Sequence, residues 1–111
     1  MAAWKPIATL VNDVRSGNSS AREQVELALQ KIEKAEEYKS ILWSIPERAM
    51  QRADEIDSRI ASGDAVGRLA GVPFIAKDDF LVFGAATTAA SNILRDFDPP
   101  YQSTAIERLE A

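Results

Sequence analysis

The chain has 111 residues, room for one domain or part of one, and its 46% apolar and 27% charged side chains exclude wholesale disorder and fibrous repeats. A net charge of −4 supplies no general pull toward a phosphate backbone or an anionic bilayer. Cysteine and histidine are both absent, which removes disulfides, thiolate nucleophiles, Cys- or His-ligated metals and imidazole bases. Any chemistry must come from lysine, carboxylates, hydroxyls or backbone amides.

Three helices are expected in the first half. Pro6 suits a first helical position, and Ile7, Leu10, Val11 and Val14 then recur on one face. Arg15 falls in the last turn and Gly17 provides a left-handed stop. Ser20 and Glu23 have the spacing of a capping box, and Val25, Ala28, Leu29, Ile32 and Ala35 continue one stripe, so a second helix is expected over about 20–37. Residues 38–45 read as a short extended piece or a packed connector, the extended form favoured. Pro46 restarts a helix whose apolar stripe is Ala49, Ala53, Ile56 and Ile60, ending at Gly63.

The composition changes at Gly67. The run Val72-Pro-Phe-Ile-Ala76 is too short for an isolated helix and fits a buried strand at 73–77 beginning at the proline. Gly84, Thr87, Thr88 and four alanines suggest closely packed backbone over 78–91. Pro99-Pro100 breaks the chain, and Thr104 with Glu107 forms a second capping-box pattern opening a last helix. A lone strand and a two-turn helix need partners, so the economical expectation is the leading part of a larger α/β protein. Its helical segment would be 1–66 and the start of its α/β core 67–111. No apolar run reaches the ~20 residues of a membrane span, and the start lacks a secretory pattern, so no membrane contact and a cytoplasmic location are expected.

Lys77 is the most suggestive side chain. Following a buried strand, its stem would begin in partly desolvated surroundings that disfavour the ammonium and free the amine to act as a base. Without histidine, that is the simplest way to activate a serine hydroxyl. The competing reading is a strand-end lysine paired in water with Asp78 or Asp79. On spacing alone the ion pair is favoured. Asp78-Asp79 are too few oxygens for a cation site, and Gly67, Gly71 and Gly84 make no phosphate loop. Thr87, Thr88 and Ser91 suit a tight turn, and Trp4 and Trp43 suit core or interface anchors.

The segment Gly67-Arg-Leu-Ala-Gly-Val-Pro-Phe-Ile-Ala-Lys-Asp-Asp79 resembles the leading block of the amidase signature family, L-A-G-V-P-[IF]-x-[IAV]-K-D-N. Similarity continues through Thr87-Thr88-x-x-Ser91 and Phe97-x-Pro-Pro-Tyr-x-x-Thr104-Ala-x-x-x-Arg-Leu109. The resemblance implies a mixed-sheet α/β fold, incomplete in this chain, in which helices precede the first strands. It implies a Ser-Ser-Lys triad with Lys77 as base and both serines in a Gly/Ser-rich signature beyond residue 111. Three positions depart from the pattern: Asp79 stands for the usual asparagine, Ala89-Ala90 for a common Cys-Gly pair, and Gln102 for a common aspartate.

Within that family the last segments are most similar to the A subunits of tRNA-dependent amidotransferases. This implies glutamine as substrate, subunits B and C as partners and tRNA only indirectly. No cofactor or metal is expected in this chain, with ATP and magnesium used by the partner subunit. The 111 residues alone are expected to be inactive for want of a nucleophile. The alternatives are a fragment of a free-standing small-amide hydrolase of the same family, or a non-catalytic helical interaction module. Substrate-binding residues are not identified by the resemblance.

Overall fold

The computed structural model describes residues 5–111, so the anchor role expected for Trp4 lies outside the described residues. Four α-helices form: α1 (Ile7–Ser16), α2 (Ala21–Lys34), α3 (Pro46–Ala61) and α4 (Thr104–Glu110). Short 3-10 turns occur at Glu36–Tyr38 and Asn92–Leu94. Backbone contacts gather them into two compact units, one running to Lys34 and including Pro46–Pro73, the other made of Ala35–Ile45 and Phe74–Ala111.

In the first unit, the helix ends follow from local chemistry. Pro6 precedes α1 with an extended ψ of 146°, one position earlier than the sequence suggests. Gly17 adopts φ 77°, so its own N–H reaches Val14 O and the next N–H reaches Asp13 O, satisfying two terminal carbonyls. Gly63, at φ 76°, ends α3 the same way, its N–H on Ile60 O and the following one on Arg59 O. At the start of α2, Ser20 Oγ accepts the Glu23 N–H at 3.0 Å. The reciprocal half of the box differs: the Glu23 carboxylate takes the Ser19 hydroxyl at 2.7 Å.

α2 and α3 pack against each other, and Val14, Ala21 and Ala53 are buried at the centre with Val25, Ile56 and Ile60 around them. The loop after α3 returns across α1. Gly71 lies so close to Val14 that a Cβ there would meet its methyl carbons at 2.8 Å. Arg15 fastens the same loop by donating to the carbonyls of Val66 and Gly67 at 3.4 and 3.0 Å. A long-range contact locks the helix pair: Asp57 on α3 accepts the Ala21 N–H at 2.7 Å and the Arg22 N–H at 3.1 Å. It thereby caps the exposed amides of the neighbouring helix.

In the second unit, single hydrogen bonds between loops replace a sheet. Ser103 N–H donates to Leu81 O at 2.9 Å, and Thr87 N–H to Phe97 O at 3.0 Å. The buried Gln102 side chain accepts the Phe83 N–H at 3.3 Å and donates to Glu110 at 2.6 Å. α4 is capped by Ser103, whose Oγ accepts the Ile106 N–H, not by Thr104 as the capping-box spacing suggests.

No strand forms among the described residues. The expected strand at 73–77 is an irregular segment, with Phe74 and Ile75 exposed. Strands exist only through ladder partners, and the described chain supplies none. Residues 39–45 are likewise irregular, following the 3-10 turn Glu36–Tyr38, with Lys39 at φ 47°.

Candidate active site

Lys77, Asp78, Asp79 and Thr88 come together in the second unit. Residues 77–80 make a tight turn in which the Phe80 N–H donates to Lys77 O at 3.0 Å. This turn is fastened to the next by Asp78. One carboxylate oxygen of Asp78 accepts the Thr88 N–H at 3.0 Å and the other accepts the Thr88 hydroxyl. The Asp78 carbonyl accepts the Ala89 N–H at 2.9 Å. The Thr88 hydroxyl bond, helped by the amide bonds from Thr88 and Ala90 and opposed by burial, holds the Asp78 carboxyl below its ordinary value.

With both Asp78 oxygens committed to Thr88, Asp79 meets the lysine. The ammonium of Lys77 lies 3.3 Å from Asp79 Oδ2, and the two side chains are 79% and 46% exposed. This is the ion-pair arrangement weighed for Lys77 in the sequence. The partly desolvated surroundings that favour a free amine are not formed by the described residues. A solvated lysine on a turn can pair, reorient and enter a site completed by other segments.

The turn at 88–91 carries backbone strain beside this pair. Ala89 and Ala90 sit at φ 47° and 58°, in the left-handed region that disfavours residues with a Cβ. Thr87 is buried and its hydroxyl donates to Phe80 O at 3.3 Å, a second tie between the two turns. The threonine cluster thus holds a turn together, as its composition suggests.

Four hydroxyls elsewhere have structural roles. Ser20 and Ser103 cap helices, Ser19 binds Glu23 and Ser16 binds the Asp13 carbonyl at 3.2 Å. Among the described residues no three acidic side chains gather as metal ligands, and no helix is long and apolar enough to cross a membrane. The Asp57 clamp and the Asp78–Thr88 latch escape a local reading because they join residues 36 and 10 positions apart.

Residues 23–111 match the Amidase family. The chain is 43% identical over 107 residues to the A subunit of glutamyl-tRNA(Gln) amidotransferase from Gloeobacter violaceus, covering 92% of this chain and 22% of that protein. It is 39% identical over 110 residues to the same subunit from a Synechococcus strain (98% and 21% covered). With that of Bdellovibrio bacteriovorus it shares 42% over 97 residues (87% and 20%). The chain therefore spans about a fifth of the length of these relatives. A solved structure described as a vestigial protein complex revealing the evolutionary origins of an s-triazine catabolic enzyme superposes with a TM-score of 0.89 at 31% identity. The match covers 96% of this chain and 24% of the other. An inhibitor-bound form of that complex superposes equally well.

Proposed function

The chain belongs to the amidase family, and we propose that it is the leading, base-bearing segment of a glutamine-hydrolysing subunit of a tRNA-dependent amidotransferase. The observation that carries the reading is Lys77 in its Ala-Lys-Asp setting within a chain this similar to amidotransferase A subunits. In this reading a serine from beyond residue 111 attacks the side-chain carbonyl of glutamine. A second serine takes the nucleophile's proton while giving its own to the Lys77 amine, and the relay runs back to protonate the leaving nitrogen as ammonia departs. Water then hydrolyses the acyl-enzyme to glutamate. The ammonia converts Glu-tRNA(Gln) to Gln-tRNA(Gln) with partner subunits B and C, ATP and magnesium acting at the partner. In the same reading, residues 73–77 become the first strand of the α/β core by pairing with later segments.

A hybrid tests this proposal. The matching leading fifth of the Gloeobacter violaceus subunit is replaced by this chain, and the hybrid is produced with subunits B and C. Glutamine-dependent ammonia release is the expected result, and a folded, assembled hybrid that releases none contradicts the reading. A second reading, an amidase of the same family that hydrolyses a small amide without tRNA, draws support from the 31% identity to the structure linked with an s-triazine catabolic enzyme. It predicts that the 111-residue chain shows no affinity for subunits B and C by titration calorimetry.

A further inference from the structure

We propose that Asp78 and Thr88 are positioning residues that fix the main chain at Lys77, so that the aim of the lysine amine is set by bonds that Asp78 makes ten residues along the chain. The inference deepens the reading of Lys77 as a base and rests on it. A lysine stem is long and flexible, so its amine is accurately aimed only where the backbone beneath it is held. Here the residue after Lys77 is gripped at both carboxylate oxygens, one taking the Thr88 N–H at 3.0 Å and the other the Thr88 hydroxyl. The Asp78 carbonyl takes the Ala89 N–H at 2.9 Å, and the Lys77 carbonyl is closed by the Phe80 N–H at 3.0 Å. The Phe80 carbonyl is in turn held by the Thr87 hydroxyl at 3.3 Å.

The partner turn is held against strain. Ala89 and Ala90 lie at φ 47° and 58°, and adjacent left-handed residues with a Cβ persist only where their surroundings over-determine them. Asp78 supplies that constraint through Ala89, while the Ala90 N–H rests at 3.3 Å on the same Thr88 hydroxyl that donates to Asp78. Strain kept beside a candidate base is the pattern of backbone fixed for positioning. The Thr88 hydroxyl bond, foremost, holds the Asp78 carboxyl below its ordinary value, so the grip stays ionised near neutral pH. Every one of these bonds lies within residues 77–90 of one compact unit and needs no group from beyond residue 111. The backbone itself recurs, at a TM-score of 0.89, within a chain of which it covers 24%.

A double-mutant cycle in the hybrid enzyme, assembled with subunits B and C, tests the positioning role. Single-turnover acyl-enzyme formation from glutamine is measured per assembled site for Thr88→Val, Thr88→Ser and Asp78→Ala. Each change is made with Lys77 in place and again beside Lys77→Ala. With the lysine present, Thr88→Val should slow the step ~10- to 100-fold, the scale of a misplaced catalytic group, and leave KM for glutamine roughly unchanged. Thr88→Ser restores the hydroxyl and should return the rate to near the parent value. Beside Lys77→Ala, Thr88→Val should cost nothing further, because no base remains to be aimed. Equal fold-losses in the two backgrounds mark a merely structural bond and overturn the inference. Where Thr88→Val does not assemble, Asp78→Ala is judged by the same cycle, and failure of both to assemble overturns it too. If Lys77→Ala alone keeps a near-normal rate, the base reading fails and the positioning role with it. If Lys77→Ala is slow but Thr88→Val is not, the base reading stands and only the positioning role is lost.

Discussion

Replacing Asp57 by alanine removes one side chain and leaves two backbone donors at the start of α2 without their acceptor. The two losses are unequal. Ala21 is 1% exposed, so water cannot readily reach its N–H once the carboxylate is gone. A buried donor left unsatisfied costs ~1–3 kcal/mol. Arg22 is exposed, and water replaces most of what its N–H loses. Ser20 continues to cap the Glu23 N–H, so the helix start is weakened and not abolished. Adding the ~1 kcal/mol typical of a lost cap to a mid-range desolvation penalty gives ~2–3 kcal/mol. At ~4–8 °C per kcal/mol for a domain of this size, the melting temperature should fall by ~10–20 °C. Asp57→Asn keeps one oxygen for Ala21 and should lose about half as much. Urea titration followed by far-ultraviolet circular dichroism measures both. A loss under ~0.5 kcal/mol for Asp57→Ala, the size of an ordinary surface change, refutes the clamp.

Ala90→Gly should raise stability by ~1 kcal/mol, because φ 58° costs an alanine more than the added chain entropy costs a glycine; a thermal melt with no gain contradicts the strain. Asp78 gives a pH dependence of definite sign. Its folded value lies below the ordinary carboxylate value of 3.8, so its contribution is complete above that value and fades as pH falls through the lower one. Thr88→Val removes the hydroxyl bond and should bring Asp78 titration, followed by carboxyl carbon chemical shift, back toward the ordinary range; an unmoved titration rejects the latch. The 111-residue chain alone should release no ammonia from glutamine or asparagine, and steady release abolished by Lys77→Ala would show that it carries its own nucleophile.

The helices were legible because their signals are local. Pro46 and Gly63 bracket α3 and Gly17 closes α1, each acting through its own backbone dihedrals. Ser103 displaced Thr104 as the cap of α4 because the two hydroxyl residues are adjacent, and only the backbone conformation distinguishes them. The strand at 73–77 required a different kind of information. An apolar run states a preference for burial, whereas a ladder requires a second segment with free amides and carbonyls. At the candidate site, the motif singled out Lys77, and the sequence placed two carboxylates within its reach. Which of them it meets depended on Thr88, ten residues beyond Asp78, and no local spacing reports that bond.

The central claim is that Lys77 serves as a proton acceptor, and a single-turnover measurement of acyl-enzyme formation in the Lys77→Arg hybrid tests it most directly. Arginine retains the positive charge and can still pair with Asp79, but it cannot surrender its proton near neutral pH. The account predicts that glutamine-derived acyl-enzyme forms at least ~10²-fold more slowly than in the Lys77 hybrid, the usual scale for removing a positioned acid–base group. Acyl-enzyme formation at a near-normal rate in the arginine variant would contradict it.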